Sequence, residues 1–147
     1  SDMARTYRVG AVSEEADRLI NTAKESFFAG LQYCRPGNYL SDISHAIQEC
    51  VEGAGFAVIR EYVGHGVGRN LHEDPQIPNY GRAGRGAKLK KGMVLAIEPM
   101  ISVGTYEVDV WDDEWTAVTR DGLYAAHYEN TVVITDGEPE VITLLQE

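Results

Sequence analysis

The apolar residues in the first third of the chain repeat with helical spacing. From Ser13 to about Gln32 they fall close to one helical stripe, which consists of Ala16, Leu19, Ile20, Ala23, Phe27 and Leu31. Ser13 suits the N-cap, and the acidic residues directly after it favour the positive end of the helix dipole. Pro36 and Gly37 predict a turn. A second helix with one apolar face is predicted from about Ser41 to Glu52.

The rest of the chain alternates short apolar segments with turn residues. FAVIREYVGHG predicts a strand that leads into a glycine-rich stretch, and residues 74–92, with two prolines and four glycines, predict a long loop. Five strand-like segments follow, namely MVLAIEPMISV, YEVDVW, EWTAVT, HYENTVVIT and EVITL. The turn residues between them predict antiparallel meanders. Two helices followed by antiparallel strands predict an α+β domain, with the helices packed on one face of the sheet.

Composition narrows the class of protein. The chain has 147 residues, of which 44% are hydrophobic and 24% charged, as in one globular domain. Its apolar runs are shorter than the roughly 20 residues of a membrane helix, so we expect no membrane partner. Thirteen basic and 23 acidic residues give a net charge of −10, which argues against nucleic-acid binding. Two cysteines and an N-terminal segment without the order of a secretory signal predict a cytoplasmic protein.

Two residues stand in unusual surroundings. His65 lies between Gly64 and Gly66, where the small neighbours leave room for a close backbone approach; the alternative is a tight turn in which the histidine fills space. Glu98 follows a continuous apolar run and precedes Pro99, so its carboxylate is expected to be buried. A buried charge needs a partner, and either an arginine or a metal ion would serve.

Glu129 has a similar environment in HYENTVVIT. Strand alternation puts it on the same face as Val133, near a strand end that resembles core, although a half-exposed position is the common alternative. One imidazole and two carboxylates, from His65, Glu98 and Glu129, suit divalent metals such as manganese, iron, cobalt or zinc. Such a set also suits a two-metal site that activates water for hydrolysis.

Three further residues are candidates for supporting roles. His72 is suited to contact a substrate or carry a proton, and its alternative is an ordinary surface histidine. His127 is a candidate for a position behind the metal ligands. Trp115 is suited to form one wall of an apolar pocket, and its alternative is packing in the core.

The ordered motifs GHGVGRNLHEDPQIPNYG, GMVLAIEPM, DDEWTAVT and HYENTVVIT resemble the methionine aminopeptidases, specifically the type I branch. The resemblance extends from about Asp2 to the C-terminus. It implies the pita-bread fold, in which two halves are related by pseudo-symmetry, and residues 1–147 look like a single domain that forms the carboxy-terminal half. It also implies a peptidase that removes the initiator methionine from nascent chains, with one or two divalent metal ions.

Individual roles follow from the same resemblance. The implied metal ligands are Asp2, His65, Glu98 and Glu129. Glu98 is also implied as the base that activates water, and His72 as the residue that contacts the scissile amide. Met100 and Trp115 are implied to line the pocket for the N-terminal methionine of the peptide.

The resemblance is incomplete at the start of the chain. The family's fifth ligand, an aspartate shortly upstream of the one matched by Asp2, is not in this sequence. We therefore expect at most one metal ion, with Asp2 on a fraying end, and little or no activity from this chain alone. Sheet edges exposed by the missing half invite dimerisation. The alternatives are a peptidase like prolidase or aminopeptidase P, and a non-catalytic binding module of the same fold.

Overall fold

Two helices lie against a sheet in the computed structural model, which describes residues 1–144. Helix α1 spans Glu14–Leu31 and helix α2 spans Leu40–Gly53, each within one residue of the predicted bounds. The Ser13 hydroxyl accepts a hydrogen bond from the backbone N–H of Ala16 at 3.2 Å, which confirms the predicted N-cap. Neither helix in this range is both long and apolar enough to cross a membrane.

The strands form one large antiparallel sheet and one small strand pair. The large sheet contains β1 (Met3–Arg5), β2 (Ala57–Val58), β3 (Gly64–Gly66), β4 (Glu73–Ile77), β5 (Val94–Ile97), β6 (Met100–Ser102), β9 (Ala125–Val133) and β10 (Glu140–Val141). The pair consists of β7 (Val108–Val110) and β8 (Ala117–Thr119). The order in the large sheet is β2-β6-β9-β5-β3-β4, and β1 and β10 also pair with β9. The predicted α+β class, with helices on an antiparallel sheet, is confirmed.

The core lies between the helices and the sheet. Phe27 of α1 is completely buried, and its ring centroid lies 5.1 Å from that of Phe28 and 5.5 Å from that of Tyr128 in β9. The two helices also approach each other closely, because a Cβ added at Gly30 would lie 2.9 Å from Cγ1 of Ile47. The apolar stripe of α1 therefore fixes both the second helix and the central strand.

Several strands differ from the sequence-based prediction. Strand β1 was not expected, and all of β4 except its first residue lies in the segment 74–92 that was predicted as a loop. The segment MVLAIEPMISV is two strands, β5 and β6, separated at Glu98 and Pro99 because proline has no N–H for a sheet ladder. FAVIREYVGHG is also divided, into β2 and β3, with residues 59–63 irregular. Both interruptions lie beside the candidate ligands.

Candidate metal centre

Three neighbouring strands bring the predicted metal ligands together. His65 in β3 lies opposite Ala96 in β5, and Glu98 follows directly after β5. Strand β9 pairs with the other side of β5 and carries Glu129. One ligand atom from each of His65, Glu98 and Glu129 lies within 4.8 Å of the other two. The structure thus assembles the one-imidazole, two-carboxylate set that the sequence indicated.

The glycines around His65 are required by the neighbouring strands. A Cβ on Gly64 would lie 2.3 Å from the carbonyl oxygen of Ala96, and a Cβ on Gly66 would lie 2.2 Å from that of Asp74. Contacts this short are not tolerated, so only glycine fits at either position. The segment is a strand, and the tight-turn alternative is wrong. The space without a Cβ atom is occupied by the backbone of β5 beside Gly64 and by the backbone of β4 beside Gly66.

The hydrogen bonding of His65 leaves one ring nitrogen free for a ligand. Nδ1 lies 2.9 Å from the carbonyl oxygen of Gly66, and because a carbonyl can only accept, Nδ1 carries the proton. In the neutral ring Nε2 therefore keeps its lone pair. It lies 3.4 Å from Glu98 Oε1 and 4.0 Å from Asp2 Oδ2. A lone pair that faces two carboxylates is a suitable site for a cation.

Glu129 is almost fully buried, with 4% of its surface exposed, so the half-exposed alternative is wrong. Burial raises the pKa of its carboxyl to about 7, and the negative charges of Glu98 and Asp2 act in the same direction. His127 and Arg5 oppose this shift only in part. The residues that surround Glu129 therefore carry an excess of negative charge, which fits a set of donors for a divalent cation.

The carboxylate of Glu98 lies near two imidazoles, and its backbone carbonyl accepts a hydrogen bond from an amide side chain. Its side chain is 13% exposed, and its carboxylate lies 3.4 Å from His65 Nε2 and 3.6 Å from His127 Nε2. Within residues 1–144 these two histidines are its ion-pair partners, so the arginine alternative finds no support. The side chain of Asn79, which is completely buried, donates a hydrogen bond to the Glu98 carbonyl at 3.0 Å. Sequence reasoning missed Asn79, because one polar residue in a predicted loop gives no pattern that indicates burial.

Asp2 is fixed to the central strand, in contrast to the fraying that its position suggested. Its backbone N–H donates to Thr131 Oγ1 at 2.7 Å, and the same hydroxyl donates to the Asp2 carbonyl at 2.8 Å. Residues 3–5 continue this pairing, with Ala4 opposite Glu129. The Asp2 carboxylate is thereby held on the side of the sheet where His65 and Glu129 lie.

His72 lies beside His65 at the mouth of a surface cavity. The two ring centroids are 4.2 Å apart. His72 is exposed, and together with Asp2 and His65 it forms a second group whose ligand atoms lie within 4.8 Å of one another. The cavity has a volume of about 450 Å³ and is also lined by Glu73 and Gln76. His72 is thus a surface residue that contacts the site.

The two predicted pocket residues lie in different places. Met100, in β6, is opposite His127 of β9 and is partly exposed. Trp115 lies in the turn of the separate β7–β8 pair, and 88% of its surface is exposed, so the core-packing alternative is wrong. It shares an open cavity with Tyr62, two residues before Gly64. The structure therefore brings Met100 beside the ligands, while Trp115 stands apart from them.

Comparison with known proteins gives relatives over nearly the whole chain. Residues 1–136 match the model of metallopeptidase family M24. The chain is 59% identical to a methionine aminopeptidase of Clostridium acetobutylicum over 145 residues, which are 99% of this chain and 58% of that protein. It is 52% identical to methionine aminopeptidase 1 of Bacillus subtilis, covering 97% of this chain and 57% of the relative. The chain thus spans a little over half the length of these relatives.

Solved structures agree with this result. The crystal structure of a methionine aminopeptidase from Thermotoga maritima superposes with a TM-score of 0.95 at 52% identity, covering 97% of this chain and 57% of the other. The prolidase from Pyrococcus furiosus superposes with a TM-score of 0.76 at 26% identity, covering 100% of this chain and 38% of the other. The family match extends over the residues that build the His65, Glu98 and Glu129 cluster. The chain therefore belongs to metallopeptidase family M24.

Proposed function

We propose that this chain is the carboxy-terminal, catalytic half of a metal-dependent methionine aminopeptidase, and that residues 1–147 form its single domain. The observation that carries the proposal is the convergence of His65, Glu98 and Glu129 within 4.8 Å. The similarity to methionine aminopeptidases at 59% and 52% identity supports this substrate class. The substrate is then the N-terminal methionine of a nascent peptide. A cytoplasmic location, expected from composition, belongs to the same proposal.

Four side chains would hold the metal ion. They are Asp2, His65, Glu98 and Glu129, a donor set that suits manganese, iron, cobalt or zinc. Held by these residues, a divalent ion would supply Lewis acidity, which would make a peptide carbonyl more electrophilic and water a better nucleophile. The fifth metal ligand of the methionine aminopeptidases, an aspartate upstream of the one matched by Asp2, is not in this sequence. We therefore expect at most one metal ion per chain, whereas the complete site of the family holds two.

The remaining steps belong to side chains of this chain. Glu98 accepts the proton of the attacking water at a carboxylate oxygen, and its position between His65 and His127 keeps it oriented for this task. His72 donates a hydrogen bond to the scissile amide from the cavity that it lines. Met100 and Trp115 contact the methionine side chain. Because Trp115 is exposed, other residues from outside this domain are needed to complete the pocket around it.

Metal binding is the first test. Equilibrium dialysis followed by elemental analysis is expected to give one tightly bound ion per chain. His65→Ala should abolish binding, whereas His45→Ala, at a partly buried histidine of α2, should leave it unchanged. Two tightly bound ions would contradict the proposed incomplete site.

Activity is the second test, measured on a Met-Ala-Ser peptide and on an Xaa-Pro dipeptide. We expect the chain alone to be inactive or nearly so, and any longer product of the same gene to release methionine. Preference for the Xaa-Pro substrate would instead support the prolidase-like alternative, to which the structural similarity is weaker.

Failure of every form to bind a metal would support the binding module. Sedimentation tests the proposed dimer, since a compact monomer would contradict it.

A further inference from the structure

We propose that the cavity beside His72 receives the part of the peptide beyond the scissile bond, and that Glu73 and Asp74 make it select lysine or arginine as the third residue of that peptide. The inference rests on the proposed function, because it takes a peptide as the substrate and His72 as the contact to the scissile amide. It assigns a substrate preference to two carboxylates that have no role in the proposed metal site.

The cavity lies beside the metal centre and apart from the residues proposed for the methionine side chain. It has a volume of about 450 Å³, and its lining includes His65, His72 and Gln76. His65 is 8% exposed, so the cavity reaches a metal ligand that is otherwise buried. Of the described residues, neither Met100 nor Trp115 lines this cavity. A peptide whose first side chain contacts those two residues can therefore extend the rest of its chain into the cavity.

Strand β4 gives the cavity a wall along which an extended peptide can lie. Gln76 in β4 lies directly opposite His65 in β3, so their side chains project from the same face of the sheet. Strand β4 is the last in the sheet order, which leaves its outer edge open to an extended chain. His72 directly precedes β4, and Asp74 lies two residues further on, a span of about 6.6 Å in a strand. With the scissile amide at His72, the third residue of an extended peptide lies beside Asp74.

The charged side chains on this wall are acidic. Glu73 is half-buried, and its position is fixed because Oε1 accepts a hydrogen bond from the Asn70 N–H at 2.8 Å. A Cβ on Gly68 would lie 2.2 Å from Glu73 Oε2, so the glycine leaves the room that this carboxylate needs. Asp74 is exposed, and no lysine or arginine of residues 1–144 lines the cavity. Two carboxylates without a basic neighbour in the cavity favour a cationic side chain on the peptide.

Titration followed by nuclear magnetic resonance tests the inference without relying on turnover. The chain, with one equivalent of the diamagnetic ion Zn²⁺, is titrated with the amidated peptides Met-Ala-Lys-Gly, Met-Ala-Gln-Gly and Met-Ala-Glu-Gly. We expect the lysine peptide to bind about two- to fivefold more tightly than the glutamine peptide, as for one partly exposed charge pair, and the glutamate peptide to bind most weakly. High salt should reduce this preference, because it screens exposed charges. The amide shifts should be largest in residues 72–76.

Charge-removing variants of similar shape assign the preference to individual residues. Asp74→Asn should lower the ratio of the lysine and glutamine affinities to below about 1.5. Glu73→Gln, which keeps an acceptor for the Asn70 N–H, should lower the ratio in part. The control is Glu140→Gln, an exposed position in β10, which should leave the ratio unchanged. Equal affinities for the two peptides in the parent, an unchanged ratio in Asp74→Asn, or no binding of any peptide at millimolar concentrations would overturn the inference.

A second peptide series separates failure of this inference from failure of the proposed function. It consists of Leu-Pro-Lys-Gly and Leu-Pro-Gln-Gly, also amidated. Tighter binding of this series than of the Met-Ala series would contradict the proposed methionine specificity, and a lysine preference in both series that Asp74→Asn removes would still support the role of Asp74. Tighter binding of the Met-Ala series without a lysine preference would overturn the inference alone.

Discussion

The substitution Glu129→Gln separates the cost of burying a charge from the benefit of binding a metal. In the metal-free chain the pKa of Glu129 is raised from 4.5 to about 7 by burial and by the charges of Glu98 and Asp2. When the pKa of a carboxyl is higher in the folded state than in the unfolded state, the protonated group stabilises the fold at pH values below the unfolded-state pKa. This stabilisation is lost as the pH rises through the folded-state pKa. Unfolding free energy should therefore fall by about 3 kcal/mol between pH 4.5 and pH 7.5. Glutamine, which cannot ionise, should remove most of this decline.

The assay is urea unfolding at several pH values with a chelator present, and circular dichroism monitors the transition. At pH 8 metal-free Glu129→Gln should be more stable than the parent by up to about 3 kcal/mol. Added Mn²⁺ should reverse this order, because only the parent keeps the carboxylate ligand. The control is Glu140→Gln, an exposed position in β10, which should leave the pH profile unchanged. A parent whose stability is flat from pH 5 to pH 8 without metal would refute the reasoning.

Three further predictions concern the frame of the site. Gly66→Ala should destabilise the fold by about 1–3 kcal/mol in urea unfolding and weaken metal binding, because the added Cβ meets the backbone of β4. The control is Gly53→Ala, which has open space around it and should change the unfolding free energy by less than about 1 kcal/mol. Phe27→Ala should cost about 3–5 kcal/mol by the same assay, since it empties the contact between α1 and β9; a loss below about 1 kcal/mol would contradict that packing. Burial raises the pKa of Cys34 to about 12, so iodoacetamide at pH 8 should label the half-buried Cys50 first, and equal labelling would disprove the burial.

Local sequence signals predicted the helices well and the site only in part. The apolar stripe and the Ser13 cap of α1 are local features, and both are borne out. The largely buried position of Glu98, whose side chain is 13% exposed, was expected from its place after an apolar strand, whereas for Glu129 the sequence left a half-exposed position open. The fixed position of Asp2 did not follow, because it depends on a pairing with β9 across 129 residues of chain. The contact of Asn79 with the Glu98 backbone likewise depends on tertiary structure and leaves no pattern in sequence.

The pairing of β1 with β9 has a consequence for folding. Hydrogen bonds between Asp2 and Thr131 join positions 129 residues apart, so they close a loop that contains almost the entire domain. Loop closure on this scale is slow compared with helix formation, and contacts of such high sequence separation are expected to form late. The proposed metal ligands Asp2, His65, Glu98 and Glu129 come from distant segments, and Asp2 reaches the other three only through this closure. A metal ion added during refolding should therefore bind last, and its uptake would time the moment at which the two ends of the domain meet.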